Sequence, residues 1–366
     1  MLQIDVDLGP RSYTVSIGHG LLSRIPELSP VSRRPHVIVS DSRVWALHGR
    51  RVERALGFLG PHQLVLVPPG ERSKSRAALA RLHDAFLEAE LRRDGLVVAV
   101  GGGVVGDLAG FAAATFMRGV DWLLLPTTLL AMVDSSVGGK VGINHPLGKN
   151  LIGAFHQPAG VIADPELLET LPARQRRSGA YEILKCGLIA DVDLFEGMAT
   201  APPGLAGWDR PAVDGAIAAA VRVKARVVER DEREGGLRRV LNLGHTVGHA
   251  LEAVTRYRRF THGEAVGSGM IVAAAIARGR GLLGAASYER LVAAVERGGP
   301  RPSAADLDVS ELMAAVGRDK KALAGHVHFV LPRGLGRVLV AGDVTRAEVR
   351  RGIRELVRRE RRSSRR

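Results

Sequence analysis

The chain has little cysteine and no long apolar run, and each shortage excludes a class of protein. Cys186 is the single cysteine among 366 residues, so no internal disulfide can form. The most apolar candidate for a membrane span, residues 120–137, contains Asp121, Pro126 and Asp134, and no segment reaches the ~18 uninterrupted apolar residues of a span. Charged residues lie near the N-terminus, where a secretory signal peptide would have an apolar run. We therefore expect a cytoplasmic protein without a membrane partner.

The remaining composition is that of an ordinary packed protein. Hydrophobic residues make up 46% of the chain and charged residues 25%, which excludes a disordered, collagen-like or disulfide-stapled chain. A length of 366 residues is too great for one typical core and suits two domains. We expect two lobes with a cleft.

The net charge of +14 arises in large part from the C-terminus. Residues 350–366 contain nine arginines against Glu355 and Glu360, and so contribute +7. No aromatic residue interrupts this segment to stack on a nucleic-acid base. We interpret it as a solvated, frayed helix end rather than a nucleic-acid arm, predict no nucleic-acid partner, and expect its deletion to leave turnover unchanged.

Lysine and asparagine are scarce, and their positions are therefore informative. Among 52 basic residues only seven are lysines, and three residues are asparagines. An ammonium group is compact and has a tunable pKa, whereas a guanidinium group is a wide planar fork that a tight pocket can exclude. We take the ten positions as pointers to a functional site: Lys74, Lys140, Lys149, Lys185, Lys224, Lys320, Lys321, Asn144, Asn150 and Asn242.

Hydrophobic patterns predict an α/β N-terminal domain with a Rossmann-like parallel sheet over residues 1–171 and a mostly α-helical C-terminal domain over residues 172–366, including the basic tail. Short β-rich runs alternate with helical patterns in the first part, whereas alanine-rich helical patterns dominate the second. The predicted strands are 4–8 and 13–17 as a hairpin, then 36–41, 63–67, 96–100, 122–125, 326–331 and 337–340. The predicted helices are 73–91, 173–190, 210–230, 240–256, 264–280, 285–297 and one from about residue 343.

A glycine-rich turn predicts a dinucleotide site. The strand at 96–100 runs into GGGVVGDLAG, residues 101–110, which opens a helix. Without side chains, backbone N–H groups at a helix N-terminus can approach a pyrophosphate. Asp41 ends an earlier strand and suits a ribose hydroxyl, and Glu71 and Lys74 follow another strand. A purely structural turn is the alternative.

A polar loop is predicted after the strand at 122–125. PTTLLAMVDSSVGGKVGIN, residues 126–144, is soon followed by GKN. Cations at this density suit a substrate with phosphate or carboxylate groups, and an ordinary solvated loop is the alternative. The charged and amide side chains concerned are Arg118, Asp134, Lys140, Asn144, Lys149 and Asn150.

Histidines in the second part suggest a metal site. His245 and His249 are four residues apart on a predicted helix, and so share a side, while His262 follows and Glu182 is available from another helix. Structural histidines are the alternative. Thr246 stands where a zinc peptidase needs glutamate, which disfavours peptide hydrolysis. Glu182 and Lys185 share a helix face, as a catalytic pair or as an exposed ion pair.

Together the ordered motifs resemble the 3-dehydroquinate synthase family, one of the sugar phosphate cyclases. The resemblance is carried by GGGVVGD, MRG, PTTLL, VDSSVGGK, GKN, an E-x-x-K helix, LNLGHTVGHALE, HGE and DKK. It implies a homodimeric enzyme with bound NAD and a divalent metal, zinc or cobalt, that converts 3-deoxy-D-arabino-heptulosonate 7-phosphate, an anionic sugar phosphate, to 3-dehydroquinate and phosphate. Another sugar phosphate cyclase, a metal-dependent polyol dehydrogenase and a basic nucleic-acid-binding protein are the alternatives.

The resemblance also implies roles for individual residues. It makes Glu182, His245 and His262 the metal ligands, whereas the residues alone pair His245 with His249; it gives His249 to proton handling and anion binding. The substrate positions that it implies are Arg118, Asp134, Lys140, Asn150, Lys185, Lys224, Arg238, Asn242, Lys320 and Lys321. The cofactor positions are Asp41, Glu71, Lys74, Gly102, Gly103, Asp107, Thr127, Thr128, Lys140 and Lys149.

Overall fold

A computed structural model describes residues 1–28, 34–322 and 328–363, with the side chains of 318–322 and 363 excepted. The chain forms two compact units. One comprises Met1–Pro172 and Asp209–Arg233, and the other Ala173–Trp208 and Glu234–Arg366. Among the described residues, no helix combines the length and apolarity needed to cross a membrane.

The elements of the fold follow in chain order. The strands are β1 Leu2–Val6, β2 Tyr13–Ile17, β3 His36–Asp41, β4 His62–Val67, β5 Leu96–Gly101, β6 Asp121–Pro126, β7 Lys140–His145, β8 Gly148–Phe155, β9 Gly160–Ala163, β10 Phe329–Pro332 and β11 Val338–Ala341. The helices are α1 Ile25–Leu28, α2 Ser42–Leu56, α3 Arg76–Glu88, α4 Gly103–Thr115, α5 Ala173–Ala190, α6 Val192–Thr200, α7 Arg210–Arg230, α8 His245–Val254, α9 His262–Gly279, α10 Ala285–Arg297, α11 Val309–Ala322 and α12 Arg346–Ser363.

The first unit is built on a seven-stranded sheet in the order β1-β2-β9-β6-β5-β3-β4. The strands β1 and β2 pair antiparallel, and the other neighbours pair parallel. Every residue of β5 is buried, as expected of a central parallel strand whose two faces are covered. The predicted α/β class with a Rossmann-like parallel sheet is confirmed.

Most predicted elements of this unit lie within a few residues of their predicted positions, but the segment after β6 differs. We predicted a loop there, whereas the structure has a π-helical turn at Ala131–Ser135 and an antiparallel hairpin of β7 and β8. Glycines conceal these strands in the sequence: a Cβ atom at Gly153 would lie 2.2 Å from the carbonyl oxygen of Val141. At this point of the hairpin, a side chain at residue 153 would not fit.

The division between the units also differs from the predicted one in one segment. We expected a single boundary near residue 171, but residues 209–233 group with the first unit. Their helix α7 packs on β1 and on the π-helical turn. Arg11 pairs with Glu232 at 2.8 Å, and His19 lies 2.8 Å from Asp214, so charged contacts at both ends attach this helix to the first unit.

The second unit is organised around α9, which packs against α5, α8, α10 and α12. The predicted helix over 240–256 is interrupted, because Gly244 adopts a φ of +81° between a 3₁₀ turn at Leu237–Asn242 and α8. A Cβ atom at Gly269 would lie 1.9 Å from the carbonyl oxygen of Gly244. Glycine at this crossing lets α8 and α9 approach closely.

The expectation of a solvated, frayed C-terminal end is wrong for the described residues. Helix α12 packs on α9 and buries Ile353 and Leu356 completely. Its arginines occupy the other face, since apolar side chains recur at intervals of three and four. Arg280 pairs with Glu348 at 2.6 Å and lowers the pKa of that carboxyl to about 2. The buried Glu360 accepts a hydrogen bond from Arg301 at 2.9 Å.

Truncation of α12's apolar face should therefore destabilise the protein. We expect Leu356→Ala to lower the free energy of unfolding by roughly 2–5 kcal/mol, because it leaves a cavity at a fully buried position. The exposed Arg354→Ala on the same helix should change it by about 0.5 kcal/mol or less. Denaturant unfolding of both variants measures the difference, and equal stability would restore the frayed interpretation.

Candidate functional site

In the first unit, a cradle without side chains lies where β5 and β6 end. Parallel pairing sets Gly101 opposite Pro126, and Thr127 donates a backbone hydrogen bond of 2.9 Å to the Gly101 carbonyl. Helix α4 begins beside them, and its N-cap Gly102 has no side chain to cap the helix. A Cβ atom at Gly102 would lie 3.0 Å from Cγ2 of Thr128. Free N–H groups at a helix N-terminus suit a phosphate.

The buried hydroxyl of Thr127 supports the presence of a ligand at this cradle. Its Oγ1 atom has no hydrogen-bond partner among the described residues. A buried polar atom without a partner costs free energy that a bound polar group can offset. Asp41, by contrast, uses its Oδ1 to accept the backbone N–H groups of Arg43 and Val44 at 2.9 Å, and so caps α2.

Lys74 is the centre of a polar network in the same unit. Its side chain is 4% exposed, and its Nζ atom lies 2.5 Å from Oδ2 of Asp107 and donates to Oδ1 of Asn150. Burial raises the pKa of Asp107, although the adjacent ammonium group opposes the shift. Asn144 joins the network by donating to Glu71 at 2.8 Å. Four predicted site residues, Glu71, Lys74, Asp107 and Asn150, are thus connected.

Lys224 and Asp134 form a second pair in the first unit. The buried Lys224 on α7 donates to Oδ1 of Asp134, in the π-helical turn, at 2.6 Å. Lys140 lies exposed at the start of β7, and Lys149 is partly buried on β8. Arg118 is exposed in a tight turn with a φ of +69°.

In the second unit, Glu182, His245 and His262 converge. One ligand atom from each lies within 4.8 Å of the others, and Oε1 of Glu182 is 3.7 Å from Nε2 of His262. The Glu182 carboxylate is 1% exposed; its Oε2 forms an ion pair with Lys185, and its Oε1 has no hydrogen-bond partner among the described residues. Two imidazoles and such a carboxylate fit a divalent metal with an open position.

His249 lies next to His245 and His262. Its exposed ring has its centroid 5.4 Å from that of His245 and 6.0 Å from that of His262. The interpretation from the residues alone paired His245 with His249, but the structure sets Glu182 with His245 and His262. The described residues contain two groups of this kind: Glu182, His245 and His262, which is the set that the resemblance implies, and His249, Glu252 and His262.

Two further predicted site residues, Arg238 and Asn242, lie just before α8. Arg238 is buried, and Asn242 donates to Glu234 at 3.2 Å, both in the 3₁₀ turn before Gly244. Lys320 and Lys321 lie on α11, but their side chains fall outside the described part of the chain.

Comparison with known proteins decides the family. Residues 64–178 match the family model described as 3-dehydroquinate synthase N-terminal, and residues 179–322 match the C-terminal model. The chain belongs to the 3-dehydroquinate synthase family. A 3-dehydroquinate synthase from Acidithiobacillus ferrooxidans is 44% identical over 351 residues, which cover 95% of this chain and 96% of the relative.

Solved structures of sugar phosphate cyclases share the fold. A 2-deoxy-scyllo-inosose synthase in complex with carbaglucose-6-phosphate, NAD+ and Co2+ is 26% identical, with a TM-score of 0.86 over 97% of this chain and 99% of that one. A 2-epi-5-epi-valiolone synthase from Streptomyces hygroscopicus with NAD+ and Zn2+ is 29% identical, with a TM-score of 0.85 over 95% and 97% of the two chains.

Sequence reasoning missed one buried carboxylate beside the histidines. Glu252 on α8 is 5% exposed, and its Oε2 lies 3.4 Å from Nδ1 of His262. A signal was present, because Glu252 follows His249 by three residues and His245 by seven, and therefore lies on the same helix face.

A glycine permits a close contact between α5, which carries Glu182, and α9, which carries His262. A Cβ atom at Gly263 would lie 2.0 Å from the carbonyl oxygen of Ser178, so α5 and α9 touch one turn away from Glu182 and beside His262. Only a residue without a side chain permits this contact.

Gly263→Ala should therefore separate α5 from α9. We expect it to lower the free energy of unfolding by about 1–3 kcal/mol, because the added methyl group overlaps backbone. Gly279→Ala, at the exposed end of the same helix, meets nothing within 4 Å and should be neutral or stabilise by up to about 1 kcal/mol. Thermal unfolding of both compares them, and a neutral Gly263→Ala would refute the close contact.

Proposed function

We propose that this chain catalyses the 3-dehydroquinate synthase reaction as a carbon–oxygen lyase that requires NAD and a divalent metal. The substrate is 3-deoxy-D-arabino-heptulosonate 7-phosphate, and the products are 3-dehydroquinate and phosphate. One observation carries the proposal: in a chain of this family, the buried Glu182 meets His245 and His262 within 4.8 Å. The 44% identity to a 3-dehydroquinate synthase, against 26% and 29% to two cyclases of other activity, favours it over the alternatives.

Glu182, His245 and His262 would hold the metal, which we expect to be zinc or cobalt. When bound, the metal supplies a Lewis acid that acidifies a substrate hydroxyl, and NAD supplies a reversible acceptor for the hydride of that carbon. Lys185 balances the Glu182 charge through its ion pair. His249, exposed beside the cluster, would exchange protons with the substrate.

The first unit would hold NAD. Gly102, Gly103 and the α4 N-terminus would receive the pyrophosphate, and Thr127 would donate its otherwise unpartnered hydroxyl. Thr128, whose Oγ1 accepts the Ala131 N–H at 3.1 Å, flanks Gly102. Asp41, Glu71, Lys74, Asp107, Lys140 and Lys149 complete the proposed cofactor positions.

Cationic and amide side chains would bind the anionic groups of the substrate. Ammonium groups of lysine suit phosphate and carboxylate oxygens as compact charges. Asp134 orients Lys224 through the 2.6 Å contact and so fixes where this charge is presented. The proposed substrate residues are Arg118, Asp134, Lys140, Asn150, Lys185, Lys224, Arg238, Asn242, Lys320 and Lys321. The homodimer and the cytoplasmic location expected from the sequence remain predictions.

Phosphate release from the heptulosonate phosphate tests the proposed activity. We expect the purified protein with NAD to release phosphate without net accumulation of NADH, because the oxidation is reversed within each turnover. Removal of metal with a chelator should stop the release, and added Zn2+ or Co2+ should restore it. Stoichiometric NADH production would instead indicate a dehydrogenase.

Replacement of lysine by arginine tests the argument from lysine scarcity. Lys185 is 2% exposed against Glu182, so the wider guanidinium group of Lys185→Arg cannot keep the same geometry. We expect Lys185→Arg and Lys140→Arg each to lose most of kcat/KM despite the conserved charge. The exposed Arg354→Lys is the control and should retain it. Activity near that of the unchanged protein in both lysine variants contradicts the argument.

A further inference from the structure

The ring of His262 lies between two buried carboxylates. Its Nε2 atom is 3.7 Å from Oε1 of Glu182, and its Nδ1 atom is 3.4 Å from Oε2 of Glu252. The Glu182 and Glu252 side chains are 1% and 6% exposed. One imidazole, itself 26% exposed, therefore faces a buried acidic oxygen at each nitrogen.

A neutral imidazole has one N–H donor and one lone pair, so the two carboxylates cannot use both nitrogens in the same way. The ionised carboxylate of Glu252 can only accept, so the contact at Nδ1 places the N–H on this nitrogen. Nε2 then presents its lone pair toward Glu182, and two lone-pair donors facing each other require a cation between them. Oε1 of Glu182, which faces Nε2, has no hydrogen-bond partner among the described residues, whereas Lys185 contacts the other oxygen, and this fits the arrangement.

We propose that Glu252 is a positioning residue for the metal site, which fixes the tautomer and orientation of His262 by accepting a hydrogen bond from its Nδ1. A ligating histidine that donates its second nitrogen to a carboxylate is held in orientation and becomes a stronger donor to the metal. The inference rests on the proposed function, since it assumes that Glu182, His245 and His262 bind a divalent cation.

Helix α8 carries both a proposed metal ligand, His245, and the proposed positioning residue, Glu252. His245 provides a proposed ligand at the start of α8, and Glu252 lies two turns later on the same face. His262 begins α9, which packs against α8. Helix α8 thus supplies one ligand directly and constrains a second across the helix pair.

Metal affinity of the full-length protein tests the inference. Metal-free protein is titrated with Co2+ in competition with a chromophoric chelator, and the visible absorption of bound Co2+ reports its coordination. Glu252→Leu removes the acceptor and should weaken Co2+ binding by about 10–100-fold. Glu252→Gln keeps an acceptor oxygen without the charge, and its loss should be smaller. Both variants should keep the absorption spectrum of the unchanged protein, because the ligands remain.

Two further variants provide the comparison. Glu182→Gln removes a proposed ligand and should change both the affinity and the spectrum. Glu360→Gln removes another buried carboxylate of the same unit, one bound to Arg301 and Ser303; it should lower the unfolding temperature and leave Co2+ affinity unchanged.

Three results would overturn the assignment of Glu252. Unchanged Co2+ affinity in both Glu252 variants would make the residue merely structural. If Glu252→Gln and His249→Ala instead alter the spectrum as Glu182→Gln does, then Glu252 binds the metal itself, in the alternative group His249, Glu252 and His262. If the unchanged protein does not bind Co2+, the proposed metal site itself is refuted. If the unchanged protein binds Co2+, the variants test the role of Glu252 separately. Should Glu252→Leu not fold, the Glu252→Gln titration decides.

Discussion

The buried carboxylate of Glu182 is the constraint on which the second unit depends. Removal of a carboxylate from water costs several kcal/mol unless cations and donors surround it. Here the ammonium group of Lys185 supplies part of the compensation, and a cation held with His245 and His262 would supply the rest. Glycines let α5, α8 and α9 approach closely, and this brings His245 and His262 to Glu182.

Lysine scarcity pointed to buried ion pairs, whereas charge density pointed to the surface. Among the lysines whose side chains are described, Lys74, Lys185 and Lys224 are buried, and each pairs with a carboxylate. The arginine-rich terminus, which supplies half of the net charge, instead forms one face of a packed helix. Scarce lysines thus include three buried ammonium groups, although Lys140 is exposed and Lys149 is partly buried.

The sequence predicted elements with a strong period and missed those set by tertiary contact. Helices α5, α7 and α10 have the predicted bounds, because long apolar faces define them. The β7–β8 hairpin was missed because glycines replace the alternating side chains, and the packing of α12 because arginines mask its apolar stripe. In the site, the helical spacing paired His245 with His249, but the approach of Glu182 and His262 depends on helix packing that no local pattern contains.

The grouping of α7 with the first unit has a consequence for the order of synthesis. The ribosome synthesises the chain from its N-terminus. Helices α5 and α6 of the second unit therefore emerge before α7, which belongs to the first unit. The first unit cannot complete its core until Arg233 has been synthesised, and the second unit cannot complete its core until α12 has been synthesised. Cleavage at one position would not separate the chain into two complete units. During synthesis, apolar surfaces of both units therefore stay exposed until the later segments that cover them have been made.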